Sequence, residues 1–172
     1  SLYDKRDEAA DAGTLAHSLV MAHINGEPLP KVPENNTGKQ AKQGLDNYLR
    51  WASDNRIVIV EQETELVSET YQFGGCLDAL GVDSREAVGI LDWKTSNAVY
   101  QDYLIQIAAY KILWEENHPE QPITGGYHLL RFSKDNADFA HHYWSELDEA
   151  WEQFKLFRKA FDIDKKLKKR VG

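Results

Sequence analysis

The segment Gly89-Ile90-Leu91-Asp92-Trp93-Lys94-Thr95 sets an acid and an amine two residues apart in a run of strand-forming composition. A strand alternates its faces, so Asp92 and Lys94 point to one side while Leu91 and Trp93 point to the other. On an open surface such a pair is an ordinary ion pair. In a partly dry cleft it suits a metal ligand beside a cation that meets a phosphate. Asp78 favours the second reading, because it closes Gly74-Gly75-Cys76-Leu77-Asp78 on the preceding strand and antiparallel pairing brings its carboxylate to Asp92. Two like charges side by side repel. A bridging divalent cation removes that cost, and hard oxygen ligands of this kind suit Mg2+ or Mn2+. Gly74 and Gly75 fit either close approach of another group to the backbone or a bulge.

Elements able to hold these residues can be traced along the chain. Apolar residues recur at helical spacing from about Asp4 to Ile24, up to the turn-like Asn25-Gly26, and again from Gly38 to Ser53, with Leu45, Tyr48, Leu49 and Ala52 on one face. A loop with three prolines separates the two. The β-branched run Ile57-Val58-Ile59-Val60 starts a strand that extends to Ser68; Tyr71 to Leu80 and Glu86 to Thr95 follow as second and third strands of an antiparallel meander. Tyr100 to Asn117 has the spacing of a helix packed on a sheet, with Leu104, Ile107, Ala108, Ile112 and Leu113 inward, and it stops before Pro119. Ile123 to Phe132 supplies a fourth strand and Phe139 to Trp144 a candidate fifth. Leu147 to Leu167 forms a long amphipathic helix with Trp151, Phe154, Phe157 and Phe161 on its apolar side. This order predicts one α/β (α+β) domain over 1–172, with a central sheet of four to five strands flanked by helices.

Composition bounds the chemistry. At 172 residues, 42% hydrophobic and 28% charged, the chain fits one ordinary folded domain. It has no apolar run of about 18 residues and no secretory layout at its start, so an intracellular, cytoplasmic location without a membrane is expected. Cys76 is the only cysteine, which excludes an internal disulfide and any four-cysteine cluster within one chain, so oxygen and nitrogen must hold any metal. The net charge of -8 opposes binding of a polyanion, but a bound cation inverts the field locally, and Lys165 to Arg170 concentrates five positive charges. That run either holds phosphate or complements the dipole at a helix C-terminus. The five tryptophans lie in amphipathic segments, which favours core packing over base stacking.

Gly75-Cys76-Leu77-Asp78, then Asp92-Trp93-Lys94-Thr95, then Gln106-Ile107-Ala108-Ala109-Tyr110 resembles the PD-(D/E)XK nuclease superfamily, in particular its RecB-like, phage-type exonuclease branch. Gly13-Thr14-Leu15-Ala16-His17 is similar to a helix found upstream in that branch, so the resemblance covers about 13–110. It implies a restriction-endonuclease-like mixed sheet and a DNA exonuclease of recombination or repair from a bacterial or phage-infected host, with a structure-specific endonuclease as a close variant. It also implies roles. Asp78 and Asp92 bind one or two Mg2+ or Mn2+ ions, the main-chain carbonyl of Trp93 and His17 complete the coordination, and Lys94 sits at the attacking water or scissile phosphate. Gln106 and Tyr110 share a helical face that positions Lys94 or the nucleic acid, and Glu61 resembles an acid on the first strand. The partners implied are DNA, a recombination or annealing protein, and further copies in a homo-oligomer. Relatives with an iron–sulfur cluster are poor models here, since the four cysteines are absent. Two competing readings are a catalytically silent nucleic-acid-binding or scaffolding domain, for which clustered acids have no purpose, and a glycosidase, which leaves Lys94 and the Gln-Tyr helix unexplained.

Overall fold

A computed structural model describes residues 10–172. The first described helix, α1, spans Ala12–Ile24 and starts where the Asp11 carboxylate accepts the Thr14 N–H at 2.7 Å. Ala10 and Asp11 are not helical, so the segment expected to be helical from Asp4 becomes so only at Ala12; its part before residue 10 lies outside the described residues. Helix α2 spans Asn36–Asp54 and is capped in the same manner by Asn35 on Gly38 at 3.0 Å. Strands β1 (Val58–Ser68), β2 (Phe73–Val82) and β3 (Val88–Thr95) form the expected antiparallel meander.

Helix α3 (Gln101–Asn117) then carries the chain across to β4 (Tyr127–Phe132), which lies parallel to β3, and β5 (Phe139–Trp144) returns antiparallel. Sheet order is therefore β1-β2-β3-β4-β5, a mixed sheet. Strand β4 starts at Tyr127, four residues later than the sequence suggests, because Gly126 takes a φ of +76° where a side chain would meet the Trp144 carbonyl oxygen at 2.7 Å. Helix α4 (Asp148–Val171) closes the chain, so four helices flank five strands among the described residues.

The sheet separates two cores. On one face α1 and α2 pack with Leu91, Trp93, Leu130 and Phe132; on the other α3 packs with Leu77, Leu80, Ile90 and Tyr127. Alternation along β3 thus sends Ile90 toward α3 and Leu91 and Trp93 toward α1, as period-two geometry requires. Helix α4 differs from expectation. Trp151 and Phe154 pack on Phe73, with ring centroids 6.2 and 4.6 Å away, but Phe157 and Phe161 stay half exposed and no residue of α4 is buried. No described helix is long and apolar enough to cross a membrane.

Candidate active site

The β2–β3 ladder runs from Val82↔Val88 to Ala79↔Leu91 and stops immediately before Asp78 and Asp92. The strands part there because a side chain replaces a backbone partner: Asp78 Oδ2 accepts the main-chain N–H of Trp93 at 3.0 Å. That bond holds the Asp78 carboxylate against β3, one residue from Asp92. Trp93 sends its indole into the opposite core, so only its main chain is on offer at the acids.

Asp92 is 1% exposed, and neither of its oxygens has a hydrogen-bond partner among the described residues. Its Oδ2 lies 3.1 Å from Lys94 Nζ, close enough for an ion pair but poorly aligned for a hydrogen bond. Burial first, and then the Asp78 charge, push the Asp92 carboxyl well above the ordinary carboxylate range, with Lys94 opposing. Desolvation and like charge outweigh the one cation nearby. Such a carboxylate binds either a proton or a cation of higher charge.

Lys94 is fixed from three sides. Beyond Asp92, its Nζ donates to Gln106 Oε1 at 2.6 Å and lies 5.0 Å over the Tyr103 ring. Gln106 and Tyr103 are three apart on α3, hence neighbours on one helical face, and Tyr110 lies a turn further on. Tyr110 is buried, and burial followed by the charges of Asp92 and Asp78 raises its hydroxyl pKa, so it stays protonated against the acids. Of the expected Gln106 and Tyr110 face, Gln106 bonds Lys94, and Tyr110 lies near enough for the carboxylate charges to act on its hydroxyl. Tyr103, which belongs to no part of the motif, joins them.

His17 lies on α1 near enough for the charges of Asp78 and Lys94 to act on it, without joining the acid pair. Gly13, one turn earlier, makes this approach possible: a Cβ there would meet the Ser133 carbonyl oxygen at 2.6 Å and Thr95 Cγ2 at 2.8 Å, so the helix docks closely on the ends of β3 and β4. Burial lowers the His17 pKa, Asp78 and Glu63 raise it, and Lys94 lowers it again. The net direction is down, which keeps the imidazole neutral and able to ligate. Among the described residues no three His, Cys, Asp or Glu side chains converge on one point, so the acids stand as a pair with His17 outside it.

Glu61 and Glu63 are both exposed on β1, and they differ in what lies beside them. Glu61 is exposed and accepts a bond from Thr64 Oγ1 at 3.3 Å. Glu63 lies between the pairs Gln62↔Ala79 and Thr64↔Leu77, opposite Asp78, and its charge is felt at His17 and Cys76. A register shift between Ile59 and Glu61 and a φ of +45° at Glu63 produce this. Alternation of Glu61, Glu63 and Glu65 is the only sequence signal here, and it does not reveal a bulge.

The two unpartnered Asp92 oxygens beside the Asp78 carboxylate fit a hard divalent cation; the donor set is oxygen with a neutral imidazole nearby. No protein-family model matches the chain, and no curated protein matches it. Solved structures do. A candidate exonuclease from Eubacterium rectale is similar over 84% of this chain at 16% identity, with a TM-score of 0.53. The likeness is one of fold. This chain spans 64% of that protein's length. A repair endonuclease from Pyrococcus abyssi is similar over 61% of this chain and 41% of its own, at 17% identity and a TM-score of 0.36. The protein SSO0001 is similar over 83% and 84%, at 14% identity and a TM-score of 0.37. The mixed α/β architecture is thus shared with that candidate exonuclease.

Proposed function

We propose that this chain is a metal-dependent deoxyribonuclease that hydrolyses phosphodiester bonds, acting as an exonuclease in DNA recombination or repair. One observation carries the reading: a buried carboxylate, Asp92, with both oxygens unpartnered, next to Asp78 and facing a lysine whose position is set by α3. A structural role does not require that arrangement, since a buried acid with no hydrogen bond, beside a second acid and offset by one lysine, destabilises the fold. The fold likeness to a candidate exonuclease supports the same class at the level of architecture only.

Asp78 and Asp92 would hold Mg2+ or Mn2+, one ion or two, with the Trp93 carbonyl and His17 as further donors. When bound, the ion supplies Lewis acidity toward a phosphate oxygen and an acidified water. Lys94 presents its ammonium to the scissile phosphate and offsets charge that develops there. Gln106 and Tyr103 keep that ammonium in place, which lowers the entropic cost of aligning it. Tyr110, buried and protonated, lies in the field of both acids. DNA is the substrate, and a recombination or annealing protein and further copies of the chain are the partners this reading implies, in the cytoplasm of a bacterium or infected host.

The test is digestion of end-labelled linear and circular DNA with Mg2+, with Mn2+ and with chelator. Loss of linear DNA that needs the metal, and that disappears in Asp92→Asn and Lys94→Ala variants of unchanged circular dichroism, is the expected result. Cleavage that survives either substitution rules the assignment out. Rapid cutting of covalently closed circles would exchange exonuclease for endonuclease.

A further inference from the structure

A cavity of about 550 Å3 opens between the start of β2, helix α3 and helix α4. Gln106 and Tyr110 line it, so it is continuous with the face that carries Lys94 and the acids. Its far wall is α4, through Phe154, Phe157, Arg158 and Phe161. Phe157 and Phe161 are four apart, on one helical face, and are 52% and 49% exposed. Two phenyl rings left open to water beside a catalytic face are unused by the chemistry proposed above.

Cations accompany these rings. The Arg158 guanidinium lies 5.5 Å from the Phe161 ring centroid and Lys165 Nζ 4.7 Å from it. Arg158 pairs with Asp162 at 3.4 Å, yet its Nε is buried with no hydrogen-bond partner among the described residues. Residues 155–170 hold eight Lys and Arg against two Asp, in a chain whose net charge is -8. An apolar peptide could cover the rings but leaves so dense a positive segment unanswered; a second copy of this acidic chain would answer the charge, and the oligomeric state tests it. A polyanion with flat apolar faces matches both features. A duplex keeps those faces stacked inside, so the match is to an unpaired strand.

We propose that the cleft between α3 and α4 binds single-stranded DNA next to the catalytic site, with bases stacked on Phe157 and Phe161 and phosphates along the basic end of α4. This rests on the nuclease reading and names its substrate form. A single strand leaving the acids would pass Gln106 and Tyr110 before it reaches the rings.

The test uses the intact protein in chelator, so that nothing is cut, and measures fluorescence anisotropy of labelled oligothymidylate and of a blunt duplex. Replacing Phe157 and Phe161 together by Ala should weaken single-strand binding at least about tenfold, and Phe157→Trp with Phe161→Trp should restore it. Duplex affinity should change by less than about twofold, because stacking is not available to paired bases. Both rings are half exposed, so a melting curve like that of the unaltered protein is expected. Failure of the unaltered protein to bind oligothymidylate, unchanged single-strand affinity in the Ala variant, or equal losses on both DNA forms would overturn the proposal. So would a dimer in sedimentation that the Ala variant splits, which would assign the rings to a second copy. Cleavage by the unaltered protein is scored separately. Metal-dependent digestion with normal oligothymidylate binding in the Ala variant sinks the cleft alone, whereas ring-dependent binding without digestion sinks the nuclease.

Discussion

A carboxylate that is 1% exposed, with no hydrogen bond to either oxygen and a second acid beside it, costs stability in both its burial and its repulsion. Asp92→Asn removes the charge at constant shape, so the metal-free variant should be more stable by about 1 kcal/mol at pH 8, read from chemical denaturation. Mn2+ should raise the melting temperature of the unaltered protein and leave that of Asp92→Asn where it is; equal shifts would place the ion elsewhere. His17→Ala should weaken Mn2+ binding roughly tenfold by calorimetry without unfolding the protein, and unaltered affinity would remove His17 from the site. At this scale the sequence is legible where strand period alone decides: Asp92 and Lys94 share a side and Trp93 takes the other, whereas the Gln106 contact with Lys94 is foreseen only through the motif resemblance. Glu63 is hidden in the sequence because a register shift and a left-handed residue change which side chains of β1 face β2, and alternation carries no mark of either.

Helix and strand docking determine where those residues stand. Gly13 has no room for a methyl group between α1 and the ends of β3 and β4, so Gly13→Val should destabilise the fold by about 1–3 kcal/mol and weaken metal binding as His17 is displaced. A variant as stable as its parent would show that α1 docks otherwise. Across β4 and β5, His128 Nδ1 and His141 Nε2 lie 2.9 Å apart; burial, and then His141, lower the His128 pKa to about 4, and burial also lowers that of His141. The unfolded chain takes protons on both near pH 6.5, whereas the fold keeps them neutral, so stability is complete above that pH and is lost as pH falls toward 4. His128 should account for about 2 kcal/mol over this window, and His128→Gln should flatten the dependence of urea midpoints on pH. Helix α4 shows the limit of periodicity: a 3.6-residue pattern gives the apolar face, but not whether anything covers it, and Phe157 and Phe161 are half exposed.

Over the whole molecule, charge and architecture pull apart in a way that composition averages away. A net charge of -8 coexists with the basic end of α4, and the mixed sheet is foreseen only through motif resemblance, since the parallel β3–β4 pairing depends on a crossover that local patterning does not specify. Replacing Lys165, Lys166, Lys168 and Lys169 by Gln should reduce the slope of log affinity for single-stranded DNA against log salt by about 0.7 for each phosphate no longer neutralised; an unchanged slope would place the strand elsewhere. The arrangement of β2, β3, α1 and α3 around two acids makes sense as a cation site, and this can be observed without any turnover. Crystals soaked in Mn2+, with diffraction measured to reveal anomalous scattering, should show a peak between the Asp78 and Asp92 carboxylates, on the side that faces Lys94. A peak bound to other residues, or none at the acids when the ion is saturating, would contradict it.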